Sequence, residues 1–400
     1  MTEKFEPGHV VVVGAGLGGV RTIERLRAEG YSGRITLVGA EPHPPYDRPP
    51  LSKQILKGQW EPERAVLRDG PALAELDVAV RLGARAVALR GTTVELAGGG
   101  SVSGDAVVIA TGVVARKLPG QPDGVYTLRT LDDALALRGV LDSARSLLVV
   151  GAGFIGAEVA CAAAERGVAV TALEAGAVPC ERALGAKAGA LAARLFTEAG
   201  VELVCGAALS RFADARTVEL SDGSRRTADA VLVSVGATPD LTWLEDAGLN
   251  TGDGLACDAR GRAVGAERVW AVGDAAAWWD ASRGAHRRDE HWTAVIEQAA
   301  TVARDIVGAD TPAAPPAYVW SDQFGMKVQT VGRTGEADEV LTLHGEGLDG
   351  GPVKGTVVGY FTGGALTGVA SFGAPALFVR YRALVASGAD RASVLAQAGK

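Results

Sequence analysis

Cysteine is scarce in this chain: there are four in 400 residues, Cys161, Cys180, Cys205 and Cys257, none of them before Ala160 and no two in a CxxC pair. That spacing supports neither a redox dithiol nor a metal framework, so the thiols read as ordinary buried or partly buried side chains. An excess of basic charge is missing too. Lys and Arg total 40 against 47 Asp and Glu, a formal charge of −7, which argues against a nucleic-acid partner, because phosphate binding needs a basic face. There is no uncharged apolar run long enough for a bilayer, and MTEKFEPGH leads into a strand without a signal-like apolar region. A cytoplasmic protein without membrane contact is the expectation.

What the chain has in quantity is glycine, 54 residues, in a composition that is 48% apolar and 22% charged. This excludes a disordered or collagen-like chain and describes a packed α/β protein that uses glycine where a backbone turns sharply or approaches a ligand. Four hundred residues exceed what one core usually serves, so two or three domains are expected.

Two stretches share one grammar. HVVVVGAGLGGVRTIERLRAEG passes from an apolar run through a glycine turn into helical spacing, and RITLVGAE follows as a second strand. RSLLVVGAGFIGAEVACAAAERGVAVTALEAG repeats the order. Gly14, Gly16 and Gly19, then Gly151, Gly153 and Gly156, form GxGxxG between strand and helix, where bare N–H groups and the helix dipole can meet a pyrophosphate.

Glu41 and Glu174 follow at the ends of the second strands. Glu41 reads either as a ribose ligand or as a solvated strand-end carboxylate. Glu174 favours a ribose 2′-OH and repels a 2′-phosphate, and Ala175 and Gly176 supply no arginine to reverse this, so NADH is expected over NADPH. A dehydrogenase with a soluble substrate needs one such site; a flavoprotein reduced by a nicotinamide needs two. FAD and NADH are therefore inferred.

VVIATG at 107–112 and VLVSVGATPD at 231–240 read as strands ending in glycine turns, and RVWAVGDAAAWW at 268–279 as a strand running into a helix. Asp274 would open that helix, either holding a ribityl chain and phosphate or serving as a plain N-cap. TPAAPPAY at 311–318 marks a boundary, after which a small sheet with one or two helices is expected. In YDRPPLSK, at 46–53, two prolines hold Arg48 extended, and Leu51 to Lys57 is expected to start a helix.

In order, GAGLGG, YDRPPLSK, IATG, LRTLDDA, GAGFIGAE, GATPD, AVGD, EHW with the later EQA, and WSDQ resemble the FAD- and NADH-dependent ferredoxin reductases of bacterial oxygenase systems, over nearly the whole chain. The resemblance implies an α/β fold with two Rossmann-like dinucleotide-binding domains, as in glutathione-reductase-like flavoproteins, and a small C-terminal α+β domain. The FAD domain would comprise 1–114 and 237–314, the NADH domain 115–236 and the last domain 315–400.

It implies too that Lys53 lies against the isoalloxazine ring with Glu158 facing it, the two catalytic residues, and that an ammonium there favours negative charge on the ring. Gly18, Arg48, Ala86, Arg129 and Trp292 would contact FAD, and Trp320 would bring an aromatic wall to the flavin. There is one departure: the family often carries Asp in VGD at the second strand, where this chain has Ala40 then Glu41, so the ribose contact has shifted by one residue or been lost.

The implied reaction is hydride transfer from NADH to the flavin, then two single-electron transfers to a [2Fe-2S] or similar ferredoxin that feeds a P450 or a ring-hydroxylating oxygenase. Related peroxidases and disulfide reductases need a redox cysteine in the loop that here reads HPPYDRPPLSK. Rubredoxin or a small organic radical is the alternative acceptor. A second alternative is an NADH-responsive binding protein similar to apoptosis-inducing factor, which predicts a basic surface; 315–400 holds as many acidic as basic residues. His286, Arg287 and Arg288 could steer an acidic ferredoxin or form a solvated loop. A monomer or weak dimer is expected.

Overall fold

The computed structural model describes residues 7–312, 316, 318–335 and 337–399. Part of the proline-rich boundary expected at 311–318, namely 313–315 and 317, lies outside the described residues. The chain divides into two compact units, Met1–Asp47 with Glu63–Val114 and Ala237–Ala314, and Arg48–Pro62 with Ala115–Gly236 and Pro315–Lys400.

In the first unit HVVVV forms the strand His9–Val13, buried along its whole length at the centre of a five-stranded sheet. Its neighbours run Val269–Ala271, Ala106–Ile109, His9–Val13, Arg34–Val38, Val78–Arg81, and every pairing is parallel. Continuous apolar runs suit such strands, which are covered on both faces. Parallel pairing also puts every carboxyl end on one edge, where this class of sheet binds ligands. That edge carries Gly14, Glu41, Thr111 and Asp274. A three-stranded antiparallel excursion, Ala86–Arg90, Thr93–Leu96 and Ser101–Ser103, follows the last of the outer strands.

Helix Trp292–Val307 is anchored near its C-terminus by Asp305, whose carboxylate accepts from Arg262 Nε at 2.6 Å and Trp270 Nε1 at 2.9 Å. Burial pushes the Asp305 carboxyl up, but hydrogen bonds from Arg262 and Trp270 outweigh it and hold the group below its ordinary value. A lowered carboxyl stabilises the fold above the unfolded pKa, and that stability is lost as pH falls through the folded value. Asp305→Asn is expected to flatten the acid limb of the urea-midpoint profile below about pH 4. Its cost near neutrality is roughly 1–3 kcal/mol, because an amide offers Arg260, Arg262 and Trp270 one acceptor oxygen in place of two and turns an NH2 donor toward those donors.

The second unit repeats the parallel plan with Glu202–Cys205, Ala169–Glu174, Ser146–Val150 and Ala230–Val233. Helix Phe154–Glu165 covers it with a face of buried small residues, Ala157, Ala160, Ala162 and Ala163 among them. This sheet too has a three-stranded antiparallel excursion, Leu209–Phe212, Thr217–Leu220 and Arg225–Thr227. The repeat seen in the sequence thus extends beyond the glycine turns.

The last segment forms a five-stranded antiparallel sheet, in the order Tyr318–Gln323, Met326–Gly332, Ala365–Phe372, Val357–Thr362, Glu339–His344, followed by helices Pro375–Ser387 and Arg391–Ala398. Helix Glu181–Glu198 packs on it, Leu184, Leu191 and Leu195 sharing a core with Val328, Tyr360 and Phe372. Within this unit the nucleotide-binding plan and the last sheet therefore share apolar packing.

Candidate functional site

Each glycine of the first loop has a separate task. Gly14 has φ +118°, and a Cβ there would lie 2.2 Å from Ala110 O; one at Gly19 would lie 2.0 Å from Gly14 O. A Cβ on Gly18 would press on Val272 and Val295 at 3.1 and 3.3 Å. Gly16 meets nothing within 4 Å, so its missing side chain opens the loop outward instead of relieving a clash. Helix Leu17–Ala28 starts there with no side-chain cap and no acidic residue in its first turn. Beside it Thr111 Oγ1 is buried without a hydrogen-bond partner. An uncapped helix start, an open glycine and an orphaned hydroxyl fit an anionic, hydrogen-bonding ligand such as a dinucleotide pyrophosphate.

The other first-unit residues gather around this loop. Gly83 and Ala84 N–H donate to Glu41 O at 3.0 Å and Gly39 O at 2.8 Å, which brings the chain leading to Ala86 alongside Glu41. Glu41 stands beyond the end of its strand and its carboxylate accepts from Tyr46 Oη at 2.5 Å. Trp292 begins the helix that packs on Gly18 through Val295, and its Nε1 donates to Asp47 at 3.0 Å. Asp274 is the middle residue of a short 3₁₀ turn, Gly273–Ala275, and does not open the α-helix expected; the chain continues as strand Ala276–Asp280. Gln298 accepts from Gly273 N–H at 2.7 Å. Thr111 escaped the sequence reading, although IATG placed it at a strand end.

The second loop reproduces the first. A Cβ at Gly151, φ +99°, would lie 2.3 Å from Ser234 O, one at Gly156 2.0 Å from Gly151 O, and Gly153 meets nothing within 4 Å. Glu174 ends its strand and accepts from Ala152 N–H at 2.9 Å and Gly176 N–H at 2.8 Å. The loop holds this carboxylate rigidly.

In the PPLSK segment the expected helix is a single π-helical turn, Leu51–Ile55. Pro50 stands at φ −66°, and its carbonyl accepts from both Lys53 and Ile55 N–H, at 3.1 and 3.0 Å. Such turns interrupt regular helices at functional positions. Arg48 Nη1 donates to Arg129 O, so these two arginines come together. Arg129 N–H is held in turn by Asp133, the acid of a capping box with Thr130 that starts helix Leu131–Leu141.

Lys53 Nζ forms an ion pair with Glu158 Oε2 at 2.8 Å. Glu158 is 3% exposed, and Lys53 also donates to Pro49 O at 3.3 Å. Since an ammonium has three N–H groups, one remains. The carboxylate accepts further from Ser52 Oγ, Ser321 Oγ and Asp322 N–H. Neither serine was singled out in the sequence. Trp320, next to Ser321, is half-buried with its ring 6.0 Å from that of Tyr318.

Burial pushes the Cys161 thiol up to about 11 and the Cys180 and Cys257 thiols up to about 12. They stay protonated near neutrality, which removes thiolate chemistry at these positions. His286, Arg287 and Arg288 lie on a strand, not a loop; Arg288 pairs with Asp253 at 3.0 Å and with Glu290, and Arg287 approaches Asp289 at 3.9 Å. Acidic neighbours thus offset much of the positive cluster. Among the described residues no helix is long and apolar enough to cross a membrane, and no three His, Cys, Asp or Glu side chains group as a metal site.

Comparison with known proteins agrees with this geometry. Residues 8–300 match the pyridine nucleotide-disulphide oxidoreductase family and residues 318–398 the reductase C-terminal family. The benzene 1,2-dioxygenase system ferredoxin–NAD(+) reductase subunit of Pseudomonas putida is 39% identical over 331 residues, 81% of this chain and 80% of that protein. The biphenyl dioxygenase system ferredoxin–NAD(+) reductase component of Paraburkholderia xenovorans is 35% identical over 352 residues, 86% of this chain and 85% of that one. The reductase in the covalent putidaredoxin reductase–putidaredoxin complex superposes with a TM-score of 0.90 at 29% identity, covering 95% of this chain and 93% of the other. A fold of two dinucleotide plans with a reductase C-terminal sheet, and relatives so named along most of its length, mean that the chain belongs to the pyridine nucleotide-disulphide oxidoreductases, among the ferredoxin–NAD(+) reductases of oxygenase systems.

Proposed function

We propose that this chain binds FAD and NADH and delivers electrons singly to a [2Fe-2S] or similar ferredoxin serving a P450 or ring-hydroxylating oxygenase. The observation that carries the reading is the duplicated loop: two helix starts, each behind one glycine whose Cβ would strike the backbone and one that faces open space. A bound flavin would supply the conversion of a two-electron donor into one-electron steps.

Three domains fit this reading: 1–114 with 237–314 for FAD, 115–236 for NADH, and 315–400 around the last sheet. The first loop, Gly14, Gly16, Gly18 and Gly19, would hold the FAD pyrophosphate, with Asp274 and Thr111 at the ribityl and phosphate end. Glu41, Arg48, Ala86, Arg129, Trp292 and Trp320 would complete the FAD contacts. Gly151, Gly153 and Gly156 would hold NADH, with Glu174 at its ribose. Lys53, kept in place by Glu158, would present its remaining N–H to the flavin ring and favour negative charge there.

Anaerobic titration tests the reading. The purified protein is expected to be yellow and to bleach with one equivalent of NADH. Because Glu174 is fixed by two N–H groups and cannot swing away from a 2′-phosphate, kcat/KM with NADPH is expected to be lower by about tenfold or more, some 1.4 kcal/mol. A protein that takes up no FAD would remove the proposal; equal bleaching by NADPH would remove the Glu174 argument alone.

A further inference from the structure

We propose that Ser321 and Ser52 are positioning residues for the Lys53–Glu158 pair, dividing the carboxylate's charge so that the lysine keeps its own. The inference rests on the flavin-reductase reading. Glu158 Oε1 accepts from Ser321 Oγ at 2.6 Å and Asp322 N–H at 3.3 Å, and Oε2 accepts from Lys53 Nζ at 2.8 Å and Ser52 Oγ. Two donors on each oxygen fill the acceptor capacity of a carboxylate. Only one of these donors is charged.

The direction of the Ser321 hydroxyl is settled by its neighbour. Glu158 is paired with the Lys53 ammonium and its carboxylate can only accept, so the Ser321 proton goes to Oε1, and Gln323 Nε2, 3.1 Å from Ser321 Oγ, donates to the serine. Ser321 and Gln323 are both 0% exposed and Ser52 and Glu158 are both 3% exposed, so water cannot take over a lost donor. In so dry a network the bonds reinforce one another, and removing one redistributes charge over the rest. Without Ser321 the Oε1 charge is answered only by Asp322 N–H. The carboxylate then turns toward Lys53 and cancels more of the ammonium's field.

The strand Tyr318–Gln323 thereby acts on the pair through the carboxylate, by way of Ser321 and the Asp322 N–H. Ser321 comes from the C-terminal sheet and Ser52 from the π-turn, so two distant segments tune one ion pair from opposite oxygens. Lys53 is the group through which both act.

The test uses the holoenzyme carrying Ser321→Ala, Ser52→Ala and Ser321→Thr, with the midpoint potential of the bound flavin as the main readout and KM for NADH and melting temperature beside it. In each alanine variant the ratio of reduced to oxidised flavin at a fixed poise is expected to fall about tenfold, a shift of about 30 mV to more negative potential for a two-electron couple. KM for NADH should stay within about twofold, and Ser321→Thr, which keeps a hydroxyl, should recover the potential. A lower melting temperature with an unchanged potential in both alanine variants would overturn the inference, leaving the serines as structural bonds only. If Ser321→Ala does not fold, Ser52→Ala on the other oxygen decides in the same way. A wild-type protein that takes up no flavin would instead overturn the underlying reading.

Discussion

Gly156→Ala is expected to give a protein that is still yellow and still bleached by dithionite, but that NADH reduces with a kcat/KM lower by roughly 100-fold. The new Cβ would sit 2.0 Å from Gly151 O and 3.1 Å from its carbonyl carbon. Both are backbone atoms and cannot step aside as a side-chain tip could. The start of helix Phe154–Glu165 must lift off the loop, which costs roughly 1–3 kcal/mol of packing and displaces the N–H groups meant for the pyrophosphate. Gly153→Ala is the control, since its Cβ meets nothing within 4 Å. It should leave the melting temperature unchanged and still raise KM for NADH, because the methyl group occupies the side from which a ligand approaches. Stopped-flow reduction and thermal melts of both variants check the pair. If Gly156→Ala were reduced at the wild-type rate, the second loop would not be the NADH site.

These loops could be read in the sequence because strand, turn and helix lie within a score of residues and Gly19 and Gly156 answer to the first glycine of their own loop, whereas Gly14 and Gly151 answer to Ala110 and Ser234, far along the chain. The repeat also pointed to two dinucleotide plans, and the parallel strands followed from runs such as HVVVV and SLLVV. What went unread depends on distance along the chain. Ser52 and Ser321 meet Glu158 across 106 and 163 residues, and nothing in the type of an isolated serine signals such a partner.

AVGDAAAWW looked like a helix start because Asp274, an N-cap type of residue, follows a strand there. The chain there pairs instead, Ala276–Asp280 lying between Leu255–Cys257 and Ala285–Arg288, and tertiary pairing overrides a local preference of that kind. The same hairpin explains the basic cluster: strand geometry directs Arg288 to Asp253, a partner far away in sequence. The PPLSK prolines did announce a stiff segment, but a proline carbonyl shared by two N–H groups, which makes the π-turn, is not a sequence pattern.

The Lys53–Glu158 pair allows stability and function to be separated. Glu158→Leu strands the Lys53 ammonium, two hydroxyls and the Asp322 N–H in a nearly dry site, and Lys53→Met leaves the carboxylate without its cation; each is expected to cost roughly 3–5 kcal/mol. Replacing both by apolar side chains of similar size removes the uncompensated charge but leaves Ser52, Ser321 and the Asp322 N–H without this acceptor, so it recovers the part of the loss that the stranded charge causes. Lys53→Met/Glu158→Leu should therefore melt above either single variant and require more urea to unfold, a coupling of at least 2 kcal/mol in a double-mutant cycle. Its ferredoxin-dependent turnover should nevertheless stay as low as that of Lys53→Met, because the restored packing brings back no positive charge for the flavin. If the double variant regained both stability and turnover, the pair would be a strut between the π-turn and helix Phe154–Glu165, and the ammonium would have no part in the electron path. Regained stability with lost turnover would assign the charge of Lys53 to the chemistry and the buried geometry of Glu158 to keeping it there.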